Sequence, residues 1–171
     1  MENGRIYGQV REGARPALVF LHYWGGSHRT WQRVIENLDP AQGYVAYDHR
    51  GWGESADVPG PYGIEQLADD AERVMNGLNY DEYLVVGHSM GGKVAQVLAG
   101  SDDKVDPPQV LREHLLPLIP TATLTELADT GHLSPLEVPD QIASHISTFT
   151  ANLQHAVSTD PAALTHDAQG Q

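Results

Sequence analysis

The chain contains no cysteine. That excludes a disulfide framework and a thiolate metal site, and it fits a cytoplasmic protein. Basic residues are scarce: ten Lys and Arg stand against 23 Asp and Glu, a formal net charge of −13. A phosphate backbone is repelled by such a chain, and no basic stripe offsets the imbalance, so no nucleic-acid partner is expected. Long apolar runs are missing as well. Ala17–Leu21 is typical of the longest, far short of the roughly 20 residues that span a bilayer. The polar start Met1–Arg5 is not followed by a signal-peptide apolar stretch, so neither a leader nor a membrane partner is expected. Nine histidines are present, but they are scattered and no His-Glu-x-x-His spacing pairs them. No metal and no other cofactor is expected.

What is there reads as one domain. A chain of 171 residues, 40% of them apolar, is long enough to bury one sizeable core. Short apolar runs alternate with amphipathic stretches, which predicts βα units and a parallel sheet. Ile6–Val10, Ala17–Leu21, Tyr44–Tyr47 and Tyr83–Val86 read as strands, the second apolar throughout as a strand covered on both faces should be. Thr30–Leu38 reads as a short helix. Ile64, Leu67, Ala71, Val74, Met75 and Leu78 keep helical spacing, and Gly92–Ala99 forms a further helix. After the polar loop 101–108, Pro107 and Pro108 open a helix carrying Val110, Leu111, Leu115 and Leu118. Thr121–Leu127 alternates as a strand, and Pro139 opens a last helix through Ile142, Ile146, Phe149 and Leu153. Residues 1–153 are the expected domain and 154–171 a loose polar tail.

The chemistry centres on Gly87-His88-Ser89-Met90-Gly91, set between a strand and a helix. A serine on so tight a turn sits in a strained backbone conformation, and glycines two residues before and after remove the clashes that side chains would make there. The turn also places the serine at a helix N-terminus, where unpaired N–H groups favour a developing anion. The same stretch, Gly87-x-x-x-x-Gly92-Lys93, has phosphate-loop spacing, with Asp48 at the end of an apolar strand as the matching magnesium ligand. However, Val94 stands where that loop needs Ser or Thr. A serine hydroxyl requires a base. His132, on a loop between a strand and a helix near the end of the chain, lies where parallel-sheet sites collect.

Further motifs extend this pattern. Leu21-His22-Tyr23-Trp24-Gly25-Gly26-Ser27 resembles the oxyanion loop of α/β-hydrolases of the esterase, haloperoxidase and haloalkane-dehalogenase type. Asp48-His49-Arg50-Gly51-Trp52-Gly53-Glu54-Ser55 resembles their Asp-x-Arg-Gly-x-Gly-x-Ser loop, and Gly131-His132-Leu133-Ser134-Pro135-Leu136-Glu137-x-Pro139 their histidine loop. With the serine turn, the four motifs stand in the family's order across about residues 6 to 153. The resemblance implies that Ser89 attacks, that His132 is general base and then general acid, and that the N–H groups of Met90 and Trp24 form the oxyanion hole. It implies that Tyr23 and His88 shape the substrate pocket. It also implies that Arg50 and Asp48 brace the strand-end loops. Tyr23 replaces a glycine common in relatives. Dehalogenases carry aspartate at the elbow, so Ser89 argues against dehalogenation.

The third triad member is where the sequence departs from the family. Gly100-Ser101-Asp102-Asp103 matches the acid loop, so Asp103 inherits the role by motif. In relatives a helix, two strands and a lid precede that loop; here it follows the helix after Ser89 directly, so the fold is expected to be shortened near residues 99–101 and to lack a cap domain. A helix from Gly91 to Ala99 carries the chain roughly 12 Å from the serine edge, and three extended residues recover at most about 10 Å. Asp103 then reaches His132 only if that helix ends early, and Asp129 is a second candidate. The expected fold is a reduced α/β-hydrolase with a mostly parallel sheet flanked by helices. The expected function is a serine hydrolase acting on a small ester-like substrate through an acyl-enzyme. The alternative is a shortened, catalytically weak relative that binds or dimerises, through the strand edge left open beside Tyr83–Val86.

Overall fold

A computed structural model describes residues 5–98, 125, 127 and 130–159. Four strands form one sheet: β1 (Gly8–Arg11), β2 (Ala14–Leu21), β3 (Gln42–Tyr47) and β4 (Tyr83–Gly87), in the order β1-β3-β2-β4. Strand β2 pairs in parallel with β3 (Val19 opposite Val45) and with β4 (Val19 opposite Val85). Strand β1 runs antiparallel on the outer side of β3 (Val10 opposite Val45). The helices are α1 (Gln32–Glu36), entered through a 3-10 turn at His28–Trp31, α2 (Ile64–Gly77), α3 (Met90–Leu98), α4 (Ser134–Glu137) and α5 (Pro139–Thr159).

The period-2 geometry of β2 divides the core. Ala17, Val19 and Leu21 face one side, where they pack with Val45 and Tyr47 against Leu67, Ala71 and Met75 of α2 and Val94 of α3. Leu18 and Phe20 face the other, against Trp31, Val34 and Ile35 of the first helical segment and Ala143 of α5. Both faces of β2 are therefore dry, as its uninterrupted apolar run predicts. The buried positions of α2 fall on one stripe. That helix stops where Asn79 takes a left-handed φ of 57°, a conformation asparagine tolerates at a helix end.

This layering sends the C-terminal ends of β2, β3 and β4 to one edge of the sheet. The loops leaving that edge are 22–27, 48–52 and the turn at 88–89, so three of the four motifs meet there because the strands are parallel.

Several details differ from expectation. Strand β2 begins at Ala14, and α5 continues to Thr159, past the boundary at Leu153, because residues 154–159 contain no glycine or proline to stop it. Helix α3 starts at Met90 rather than Gly92 and is described as far as Leu98. The helix expected after Pro108 lies outside the described residues, as does the strand Thr121–Leu127 except for Thr125 and Leu127, which are not in a strand. Asp103, Asp129 and residues 160–171 also lie outside them.

Candidate active site

The serine turn follows from close packing of backbone on backbone. Ser89 has a φ of 52°, the left-handed region in which an L side chain costs about 1 kcal/mol or more. The turn is held on both sides. The His88 N–H donates to the Leu21 carbonyl (3.1 Å), and the Gly91 and Gly92 N–H groups donate to the His88 and Ser89 carbonyls (2.9 Å each). A Cβ on Gly91 would lie 2.1 Å from the Leu21 oxygen, and one on Gly87 2.3 Å from the Gly91 oxygen. No side chain fits at either position. Met90, the first residue of α3, has a buried side chain, and its N–H has no acceptor among the described residues. Val94, one turn on, lies in the core with no hydroxyl to offer a magnesium ion.

His132 comes to this turn from 43 residues further along the chain, and its Nε2 lies 3.0 Å from the Ser89 Oγ. With the hydroxyl donating, Nε2 is the acceptor and the ring proton sits on Nδ1. The His132 loop is exposed and is held by two side chains. The His88 Nε2–H donates to the His132 carbonyl, which fixes the His88 tautomer because a carbonyl only accepts. Burial lowers the His88 pKa, outweighing the hydrogen bond to the His132 carbonyl that raises it. The Glu137 carboxylate accepts from the Gly131 N–H (2.7 Å) and the Leu133 N–H (3.1 Å), one on each side of the histidine. Among the described residues no carboxylate reaches His132 Nδ1.

The neighbouring loops are built around buried polar groups. Asp48, at the end of β3, has 0% exposure. Its carboxylate accepts from the His28 N–H (2.5 Å), the Glu54 N–H (2.7 Å) and the His28 Nδ1 (2.7 Å). Burial alone would raise its pKa, but those hydrogen bonds prevail and hold it below the usual carboxylate value. The His22 Nδ1–H donates to the Tyr23 carbonyl (2.8 Å), and its Nε2 accepts the His49 N–H (3.0 Å). The His49 ring is wholly buried, neither nitrogen has a hydrogen-bond partner among the described residues, and burial and His22 lower its pKa to about 3. Arg50 makes a two-pronged pair with Asp70 of α2 (2.5 and 2.6 Å) and also donates to the Pro59 carbonyl (2.9 Å).

The structure thus brings Ser89, His132, His88 and Met90 together. Tyr23 borders the group, its ring 5.3 Å from the His88 ring. Trp24 follows Tyr23 on the loop after β2; its side chain is 67% exposed and packs edge-on against Trp52 at 4.9 Å. The contacts of His88 and Glu137 with the His132 loop escaped the sequence reading. Glu137 belongs to the quoted histidine motif, so the signal was present but its target, two backbone N–H groups, was not visible. Among the described residues no group of three His, Cys, Asp or Glu side chains is placed to hold a metal ion. No described helix is long and apolar enough to cross a membrane.

Comparison with known proteins agrees with this geometry. The family model for the alpha/beta hydrolase fold matches residues 16–106, a span that takes in the serine turn and stops before His132. A 3-oxoadipate enol-lactonase of Acinetobacter baylyi is 34% identical over 93 residues, 54% of this chain and 35% of the relative. A 2-heptyl-3-hydroxy-4-quinolone dioxygenase of Rhodococcus erythropolis is 31% identical over 127 residues, 74% of this chain and 45% of the relative. The crystal structure of an N-acyl homoserine lactonase superposes with a TM-score of 0.52 at 27% identity, over 57% of this chain and 37% of that one. The chain spans about a third of the length of the first curated relatives it matches. From the turn, the order of its loops and the family match together, this chain belongs to the alpha/beta hydrolase fold family.

Proposed function

We propose that the chain acts as a serine hydrolase on small carboxylic esters, lactones included, through an acyl-enzyme on Ser89. The observation that carries this reading is the 3.0 Å contact between the Ser89 Oγ, on a left-handed turn, and the His132 Nε2. As Oγ bonds to the ester carbonyl carbon, its proton passes to Nε2 and the carbonyl oxygen becomes an oxyanion. The Met90 N–H and, by resemblance, the Trp24 N–H are the donors for that charge. Collapse of the intermediate breaks the bond to the alkoxy oxygen, which leaves with the proton from Nε2. A water then repeats the sequence: its proton goes to Nε2, its oxygen bonds to the acyl carbon, and Oγ leaves with the proton. The names of two relatives, an enol-lactonase and an acyl homoserine lactonase, support an ester linkage as the substrate class.

The acid role stays with Asp103 by motif. Asp103 lies outside the described residues, so its role rests on the motif alone. A fluorophosphonate probe tests the reading directly. The folded wild type should be labelled and Ser89→Ala should not; an unlabelled wild type with native circular dichroism removes the hydrolase assignment.

A second reading, an association domain that catalyses little, is favoured by one observation. Strand β4 has β2 on one side and no neighbour among the described residues on the other. On that reading the chain resists the probe and light scattering returns a dimer.

A further inference from the structure

We infer that Glu137 and His88 together form a clamp on the backbone of the His132 loop, and that this clamp sets the distance between His132 and Ser89. The inference rests on the hydrolase reading and names what keeps that site in register. Three hydrogen bonds make the clamp: Glu137 Oε2 to the Gly131 N–H (2.7 Å), Glu137 Oε1 to the Leu133 N–H (3.1 Å), and His88 Nε2–H to the His132 carbonyl. They act on two peptide groups that bracket His132, 130–131 through its N–H and 132–133 through both its N–H and its carbonyl, so the backbone at His132 is held from both sides.

The two arms are anchored differently. Glu137 closes α4, and the Leu136 and Glu137 N–H groups donate to the Leu133 carbonyl (2.8 and 3.1 Å). The carboxylate therefore ties down the start of the same short turn that carries it. His88 belongs to the serine turn itself, and its ring is wedged beside Tyr23. Any displacement of the turn is passed to His132 through the His88 ring, so nucleophile and base move as one unit. The clamp matters because the rest of the loop is exposed: an unclamped histidine on an exposed loop samples positions well beyond the 3 Å at which it takes the Ser89 proton. A misplacement of about 1 Å in such a pair costs on the order of 10²-fold in rate. Neither clamp residue touches the reacting atoms, so both are positioning residues.

The test uses the full chain and two readouts. Amide hydrogen exchange should find Gly131 and Leu133 protected in the wild type and released in Glu137→Ala. The second-order rate of fluorophosphonate labelling should fall at least 10-fold in Glu137→Ala. Glu137→Gln should fall between wild type and Glu137→Ala, because its amide oxygen still accepts one of the two N–H groups. His88→Phe keeps a ring beside Tyr23 but removes the donor; it should slow labelling without altering protection at Gly131. Unchanged exchange in Glu137→Ala overturns the clamp. Released amides with an unchanged labelling rate overturn its role in positioning. A wild type that resists the probe removes the hydrolase reading and with it that role, and the exchange arm then decides the clamp by itself.

Discussion

Two carboxylates in this molecule do the same chemical job in opposite surroundings. Asp48 and Glu137 each accept two backbone N–H groups and thereby fix a loop at the active edge. Asp48 is wholly buried and also takes the His28 Nδ1, so it ties the loop at residue 28 to the loop at residue 54. Glu137 is exposed, and all its partners lie within six residues. A buried acceptor that leaves stranded donors when removed is a matter of folding; an exposed one, replaceable by water, is a matter of local geometry. The site is therefore a deep, stable frame carrying a thin, adjustable layer.

Asp48→Ala should show the largest effect. It strands three donors in a dry space, for which a loss of about 3–4 kcal/mol is expected, seen as a fall of roughly 10 °C in Tm. A Tm within 2 °C of wild type would collapse the distinction between the two carboxylates.

Acid should expose the frame next, in two steps. The folded chain refuses a proton at His49 until pH falls to about 3, while the unfolded chain takes one near the ordinary value of 6.5. Stability therefore drops as pH falls through that window, by at most about 1.4 kcal/mol per unit. Asp48 has a folded pKa below its ordinary 3.8, so its contribution is present above that value and is lost only as pH falls through the folded one. Thermal melts from pH 7 to 3 should show His49→Leu flatter than wild type above pH 4. Parallel curves would clear His49 of the acid response.

The smallest change in stability is expected at Glu137. Glu137→Ala should move Tm by no more than the equivalent of about 0.5 kcal/mol, even as labelling slows. A large Tm loss there would make the two carboxylates alike.

Legibility in the sequence followed the same division. The frame was readable because periodicity and glycine placement report directly on close packing: the apolar run of β2, the stripe of α2, and Gly87 and Gly91 around Ser89. Asp48 and Arg50 were legible as braces through their motif, although their partners His28 and Asp70 were not. The thin layer was harder to read because its contacts run from side chain to backbone, and any residue offers the same N–H and C=O. Nothing in the letters Gly131, His132 and Leu133 says which carboxylate will hold them. The strand at β1 was legible, but its antiparallel direction was not, because pairing direction leaves no mark on a four-residue strand.

The contact between Gly91 and the Leu21 carbonyl has one further consequence. It makes the serine turn a gauge of strand alignment. Leu21 is opposite Gly87 in the β2–β4 ladder, and the turn closes only when the end of β2 lies directly beneath it. A slip of one residue would turn Val19 out of its core face and drive the Leu21 side of the strand into the turn. Misaligned chains therefore lose the geometry of the Ser89 turn, and on the proposed hydrolase reading the fraction of molecules labelled by a fluorophosphonate counts correctly threaded sheets.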